Sequence, residues 1–184
     1  MKEGWDIFER FDLEVRTKEF HSFIAADYDV VLTSLLAYRG AHLRFLEWGS
    51  ASGVITIMAD MLGYRAAGIE LDTSLVTTAR ALAARHHSAA TFVAGSFLPS
   101  GYRYNPRGGD GRTATIGEGD SGYLQLGLAL DDFDVVFGYP WGGEEPMMLD
   151  LMKCYGRSDA TLLLHGVNDG VKAYRAGREV RVTP

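Results

Sequence analysis

The feature that most constrains the fold is a regular alternation between short apolar runs and helical segments. Five runs have the length and bounding residues of β-strands, and they lie at 43–48, 66–71, 90–95, 133–140 and 160–166. Helical patterns follow three of them, over 54–62, from Asp72 or Thr73 to about His86, and over 144–154. Because parallel strands need crossover connections, this alternation predicts an α/β fold with an open, mainly parallel sheet and helices on both faces.

The first 40 residues carry a helical pattern without strands. Trp5, Phe8 and Phe11 recur at helical spacing, and Asp27 is suited to cap a further helix over 28–38. A chain of 184 residues suits one domain. We therefore predict a single domain over 1–184, with N-terminal helices in 1–40 and a ligand-binding core in 41–166.

Two segments fall outside the alternation. Residues 100–122 contain seven glycines and three arginines, and they form either a flexible surface insertion or a lid that contacts the substrate. The tail over 171–182 is either a hairpin that turns at Ala176 and Gly177 or a frayed end.

Charge and cysteine content narrow the classes of function. The net charge of −6 disfavours a nucleic-acid partner, since such proteins usually carry a basic excess. No apolar run approaches the roughly 18 residues of a membrane span, so no membrane partner is expected. A single cysteine, Cys154, fits a reducing compartment and hence a cytoplasmic location. We expect no metal site, because the adjacent His86 and His87 diverge on a helix.

The first strand ends in an unusual turn, FLEWGSASG at residues 45–53. Glycine permits positive φ and has no Cβ, and the helix that follows directs free N–H groups at the turn, so a ligand can approach the backbone closely. A pyrophosphate turn requires G-x-G-x-x-G, but Ala51 and Val54 occupy the second and third glycine positions. The alternative is a tight turn without a ligand.

A carboxylate closes the second strand in GIELD, residues 68–72. Glu70 lies 21 residues after Gly49, and its two oxygens match the vicinal hydroxyls of a ribose. Taken alone, a glutamate at a strand end is more often solvated or a helix cap. The spacing from the glycine turn favours ribose binding.

Together these segments resemble the class I S-adenosylmethionine-dependent methyltransferases, a Rossmann-like family. The resemblance covers residues 43–166 and includes the sequence Glu-Trp-Gly-Ser-Ala-Ser-Gly at 47–53, where alanine replaces the middle glycine. It implies S-adenosylmethionine as the cofactor. It places Glu70 at the ribose, Leu71 beside the adenine and, next to the methionine part, Glu47, Gly49, Ser50, Ala51 and Gly53. Ser96 and Phe97 would cover the adenine, although an acid often stands at the position of Ser96 and Phe97 is alternatively a core residue.

The resemblance also places acceptor-handling residues after the fourth strand, at Tyr139, Pro140 and Trp141. The amine methyltransferases of the family have Asn/Asp-Pro-Pro-aromatic here, so tyrosine in place of the amide residue disfavours that acceptor type. The two rings either face a cationic group or a flat substrate, or pack in the core. Glu144 as a general base and His165 as a functional histidine are the weaker interpretations, against a helix-start carboxylate and a structural histidine.

The sequence therefore predicts an S-adenosylmethionine-dependent methyltransferase that acts by in-line displacement on an unidentified small-molecule or protein acceptor. The alternatives are a non-catalytic S-adenosylmethionine-binding module, a nicotinamide-dependent oxidoreductase and an aminopropyl transferase. The family sheet continues with an antiparallel hairpin, for which 167–184 is short. We accordingly expect a partner chain, or self-association into a homo-oligomer, to complete the site.

Overall fold

The computed structural model describes residues 1–16, 24–103, 119–141, 143–166 and 168–181, with the side chains of 15 and 16 excepted. One seven-stranded sheet has the order β3-β2-β1-β4-β5-β6-β7. Its strands are β1 (Arg44–Trp48), β2 (Arg65–Glu70), β3 (Thr91–Ala94), β4 (Val135–Gly138), β5 (Thr161–Gly166), β6 (Gly170–Arg175) and β7 (Arg178–Val180). The first five are parallel, and β6 and β7 are antiparallel to their neighbours, which confirms the predicted mainly parallel sheet.

Helices cover both faces of this sheet, as predicted. They are α1 (Lys2–Phe11), α2 (Tyr28–Ala37), α3 (Val54–Met61), α4 (Thr73–Arg85), α5 (Gly122–Leu126) and α6 (Glu145–Tyr155). A π-helical turn, Asp12–Arg16, extends α1, and a 3₁₀ turn spans Leu130–Asp132. None of the helices within the described ranges is long and apolar enough to cross a membrane.

Alternation along the strands divides the core into two layers. Phe45, Phe137 and Leu163 pack against α1 to α4 on one face, because successive side chains of a strand point to opposite sides. Leu46 and Val136 pack against α5 and α6 on the other face. The strand register places Glu47, Phe137 and Leu163 level with one another, so Glu47 shares the first face.

Two aspartates cap the N-termini of α2 and α4. The carboxylate of Asp27 accepts hydrogen bonds from the backbone N–H groups of Asp29 and Val30 and so caps α2, as predicted. Asp72 caps α4 through the N–H groups of Ser74 and Leu75, which decides between the two predicted cap residues.

The C-terminal tail forms the hairpin, so the frayed-end alternative is wrong. Ala176 and Gly177 have φ of 48° and 71°, and positive φ at both central residues is the requirement of a type I′ hairpin turn. The expectation that 167–184 is too short for a hairpin is also wrong, because β6 follows β5 after a very short connection and pairs directly with it. β6 and β7 therefore extend the sheet within this chain, and completion of the site by a partner chain or by self-association stays a prediction.

The glycine-rich insertion returns to the end of β3. Residues 104–118 lie outside the described residues, so the choice between a lid and a surface insertion is left open there. Ser121, near the end of the segment, forms a parallel bridge with Ser96, which follows β3. A Cβ on Gly95 would lie 2.7 Å from the backbone oxygen of Asp120, so this close approach requires glycine.

Candidate cofactor site

A cleft opens at the carboxyl ends of β1, β2 and β4, the edge at which ligands bind in open α/β sheets. It encloses about 1040 Å³ when the space open to solvent is counted. Its wall is made by Ile24, Ala25, Ala26, Tyr28, Glu47, Trp48, Gly49, Ser50, Ala51, Ser52, Val54, Ile55, Ile69, Glu70, Leu71, Asp72, Leu75, Gly95, Phe97, Phe137, Tyr139 and Trp141.

The turn after β1 forms the floor of this cleft. The N–H groups of Gly49 and Ser50 both donate to the backbone oxygen of Ile69, at 2.9 and 3.0 Å, which ties the turn to the end of β2. A Cβ on Gly68 would lie 2.6 Å from the side chain of Ser50. The turn therefore takes this position only because β2 has glycine there, a requirement that the sequence analysis missed.

Glu70 links the first two strand ends. Its Oε2 accepts a hydrogen bond from Ala51 N–H at 2.8 Å, and its Oε1 accepts one from Asp72 N–H at 2.9 Å. Burial raises the pKa of Glu70. Since each carboxylate oxygen has two lone pairs, one on each oxygen is left for a ligand hydroxyl.

Glu47 is the most deeply buried acid of the cleft, only 4% exposed. Its Oε2 accepts hydrogen bonds from both the backbone N–H and the hydroxyl of Thr56 in α3, which leaves Oε1 for a ligand. Burial raises the pKa of Glu47 to about 8, and the nearby charge of Glu70 adds to the rise. Thr56 is a supporting residue that the sequence analysis did not find, because only the tertiary fold brings α3 to this acid.

Ser50 provides a polar group without a partner. Its hydroxyl oxygen is buried and makes no hydrogen bond in the part of the chain that the structure describes. Buried polar groups are rarely left unpaired, and a group of this kind in a cleft fits a polar ligand atom.

The segment that precedes α2 closes one side of the cleft. Ile24, Ala25, Ala26 and Tyr28 line it, and none of them was predicted as a site residue. The pKa of Tyr28 is raised by burial and by the negative charge of Glu47. The sequence feature that could have predicted this wall is the apolar run directly before Asp27, the cap of α2.

Of the three residues predicted to lie near the adenine, two line the cleft and one does not. Leu71 and Phe97 line the cleft, and Phe97 also stacks on Trp48 at 5.3 Å, so it belongs to both the wall and the core. Ser96 is not part of the wall, and its hydroxyl accepts a hydrogen bond from Leu98 N–H at 3.1 Å. Gly53 likewise lies outside the wall, where a Cβ would meet the ring of Phe92 at 2.6 Å.

Of the predicted acceptor residues, Tyr139 and Trp141 line the cleft and Pro140 between them does not. Glu144 is buried, and its Oε2 accepts a hydrogen bond from Trp141 N–H at 2.9 Å. This bond assigns Glu144 a role in holding the turn after β4. His165 is buried beside Tyr139, with 4.6 Å between ring centroids, and lines a neighbouring cavity.

No protein-family model and no curated protein matches the sequence. Among solved structures, the chain is similar to precorrin-6y C5,15-methyltransferase from Geobacter metallireducens, with a TM-score of 0.52 and 19% identity over 77% of this chain and 62% of that chain. The chain is also similar to an RNA methyltransferase from Salinibacter ruber in complex with S-adenosyl-L-homocysteine, with a TM-score of 0.55 and 17% identity over 77% of this chain and 76% of that chain.

A SAM-dependent methyltransferase from Thiobacillus denitrificans, also in complex with S-adenosyl-L-homocysteine, gives a TM-score of 0.52 and 20% identity over 86% of this chain and 54% of that chain. This chain thus spans between about half and three quarters of the length of these three structures. The sheet order, the cleft at the strand ends and these likenesses show that the chain has the Rossmann-like fold of the class I methyltransferases.

Proposed function

We propose that this protein binds S-adenosylmethionine in the cleft and transfers its methyl group to a small-molecule or protein acceptor. The observation that carries the proposal is the meeting of Glu47, Glu70 and Ser50 in one cleft: two buried carboxylates, and a buried hydroxyl that has no hydrogen-bond partner within the described residues. Few other ligands combine a cationic part with a vicinal diol and a carboxylate. The net charge of −6 argues against a nucleic-acid acceptor.

The residues present fit the parts of this cofactor. Glu47 offers Oε1 to the cationic methionine end, where an incoming positive charge favours the ionised carboxylate. The Ser50 hydroxyl is a donor for the carboxylate of the cofactor. Glu70 keeps one lone pair on each oxygen for the two ribose hydroxyls, and Leu71 and Phe97 provide apolar walls for a flat base.

When bound, S-adenosylmethionine would supply a methyl carbon on a cationic sulfur, with a neutral thioether as the leaving group. Because this carbon is already activated, an acid–base residue is optional. The chain's own contribution is to position the acceptor and to exclude water. The rings of Tyr139 and Trp141 stabilise positive charge at the mouth of the cleft. Glu144 holds the backbone of Trp141 through its hydrogen bond to Trp141 N–H.

Calorimetric titration with S-adenosylmethionine tests the proposal directly. The wild-type protein is expected to bind, and Glu70→Ala is expected to lose at least about 1.5 kcal/mol of binding free energy, roughly tenfold in affinity, because a charged hydrogen-bond partner disappears. Glu179→Ala, at an exposed position on β7, is the matched control and should bind as the wild type does.

Titration with NAD in parallel separates the oxidoreductase alternative, since the turn lacks the second and third phosphate-binding glycines. Tight binding of NAD with none of S-adenosylmethionine would contradict the proposal. Equal affinity of the wild type and Glu70→Ala would remove Glu70 from the ribose site.

The single Cys154 supports a reducing, cytoplasmic location as part of the same proposal.

A further inference from the structure

A second cavity adjoins the cofactor cleft. It holds about 800 Å³ when the space open to solvent is counted, and its wall is made by Met1, Trp5, Ala25, Asp27, Tyr28, Asp29, Tyr139 and His165. Ala25, Tyr28 and Tyr139 line both spaces, so the two cavities share one wall. A molecule in the second cavity would therefore lie beside the occupant of the first.

The sheet register explains why these walls meet. Phe137 and Leu163 lie level with Glu47 on the face toward α1 to α3. Tyr139 and His165 each follow two residues later, so both lie on the same face. Tyr139 is the first residue after β4, and His165 is the last but one residue of β5. Their rings are 4.6 Å apart and tilted by 55°. Neighbouring parallel strands thus deliver a phenol and an imidazole to the same edge of the cavity.

His165 brings a hydrogen-bond donor to this cavity. Its side chain is 4% exposed, and its Nε2 accepts a hydrogen bond from Asp27 N–H at 3.4 Å. In a neutral imidazole whose Nε2 accepts, the proton is on Nδ1. That Nδ1 is buried and has no partner among the described residues. Burial also lowers the pKa of His165, which favours the neutral ring.

Charge and shape limit what the cavity accepts. Asp27 and Asp29 are the acidic residues of its wall, so their negative charges disfavour an anion. The ligand atom that accepts from Nδ1–H of His165 must carry a lone pair, so it is not a protonated nitrogen. Trp5 and Tyr28 meet edge to face, with 5.4 Å between centroids, and form with Tyr139 an aromatic wall that suits a flat ring.

We propose that the second cavity binds the methyl acceptor, and that the acceptor is an uncharged planar aromatic molecule with two lone-pair atoms. One nitrogen or oxygen lone pair accepts a hydrogen bond from Nδ1–H of His165. A second, nitrogen lone pair would bond to the methyl carbon as the carbon–sulfur bond breaks, so that the cofactor leaves as a neutral thioether and the product carries the positive charge. The acceptor role rests on the proposed function, because it requires the cofactor in the adjoining cleft. The ligand class rests on the second cavity alone. The acceptor role and the ligand class can therefore be tested separately.

The test compares quinoline with naphthalene, which has the same shape without the ring nitrogen, and with the anion 1-naphthoate. Binding is measured by NMR titration of protein saturated with S-adenosylhomocysteine. We expect quinoline to bind about fivefold more tightly than naphthalene, as one added hydrogen bond implies, and 1-naphthoate to bind more weakly than either. The indole N–H signal of Trp5 should shift with quinoline.

His165→Phe keeps a ring against Tyr139 and removes Nδ1–H, so it should bind quinoline and naphthalene equally. His87→Asn, at an exposed histidine outside the cavity, is the control and should keep the preference. Because the histidine variant could also disturb folding, the tautomer of wild-type His165 is measured independently by long-range proton–nitrogen NMR. We expect protonated Nδ1, with a signal that shifts when quinoline is added.

Equal binding of quinoline and naphthalene to the wild type, or a His165 protonated on Nε2, would overturn the ligand class. Binding of quinoline without any binding of S-adenosylmethionine or S-adenosylhomocysteine would overturn the acceptor role and the proposed function, while the ligand class stood. Binding of the cofactor with no shift at Trp5 from any of the three probes would overturn this inference and leave the proposed function intact.

Discussion

The turn after β1 depends on residues in left-handed backbone, and one of them is not glycine. Gly49, Ala51 and Gly53 have φ of 66°, 45° and 78°. Alanine is strained in this conformation because its Cβ approaches the following carbonyl oxygen, at roughly 1–2 kcal/mol per residue. The hydrogen bond from Ala51 N–H to Glu70 offsets part of this cost. The turn thus keeps a strained residue at the point where the two strand ends are joined.

Ala51→Gly should relieve this strain and stabilise the fold. We expect a gain of up to about 1 kcal/mol in the free energy of unfolding, since the greater freedom of glycine in the unfolded chain cancels part of the relief. Urea denaturation measures the change. Ala81→Gly, at an exposed position inside α4, is the control and should lose about 1 kcal/mol. A loss of the same size in both variants would contradict the interpretation of strain.

The cofactor cleft is formed by pairs of neighbouring elements. In each pair, one specific contact between residues holds the two elements together. β2 admits the β1–α3 turn because Gly68 has no side chain. α3 supplies Thr56 to the acid at the end of β1. The turn after β4 is held by Glu144 at the start of α6. Each contact joins residues from different elements, so the cleft forms only after the elements pack.

Gly68→Ala tests the contact between β2 and the turn. Its new Cβ would overlap the Ser50 side chain at 2.6 Å, so we expect a loss of about 1–3 kcal/mol of stability, as for overpacked cores, together with weaker binding of S-adenosylmethionine. Thermal unfolding and calorimetry measure the two effects.

The double variant Gly68→Ala/Ser50→Gly moves the side chain from the turn to the strand and removes the overlap. It should recover most of the stability while binding stays weak, because the Ser50 hydroxyl is gone. Full recovery of both quantities would exclude a role for that hydroxyl in binding.

For the whole molecule, two buried carboxylates link stability to pH. Both Glu47 and Glu70 have raised pKa values in the folded protein, with Glu47 at about 8 instead of its usual 4.5. Between those values the folded chain holds a proton that the unfolded chain has released. Stability of the ligand-free protein therefore falls as pH rises through this window. His165 has the opposite sign, but its effect is complete above about pH 6.5, the pKa of a histidine in an unfolded chain.

We therefore predict that the free energy of unfolding falls between about pH 7 and pH 8, by up to about 1.4 kcal/mol per pH unit from Glu47. Affinity for S-adenosylmethionine should rise over the same range, since its cationic end favours the ionised carboxylate. Urea denaturation and calorimetry at several pH values measure both trends. Glu47→Gln should flatten both, and a wild-type stability that is constant or rises across the window would refute the prediction.

Local patterns were sufficient for the order and type of the main elements. The five parallel strands, the helices between them and the caps at Asp27 and Asp72 were predictable, because periodicity and capping act over a few neighbouring residues. It was also predictable that Glu47 and Glu70 would lie in one cleft, because each is near the end of its strand and parallel strands bring their carboxyl ends to the same edge of the sheet.

Contacts between distant residues were decided by the tertiary structure alone. The sequence by itself determined a parallel α/β sheet with acids at its ligand edge. Only the packed chain showed that Gly68 makes room for Ser50, that Thr56 holds Glu47, that Ser96 is not part of the cleft wall and that Tyr139 and His165 meet in a second cavity. The physical reason is that such contacts join residues far apart in the chain, and no local preference encodes their distance or direction.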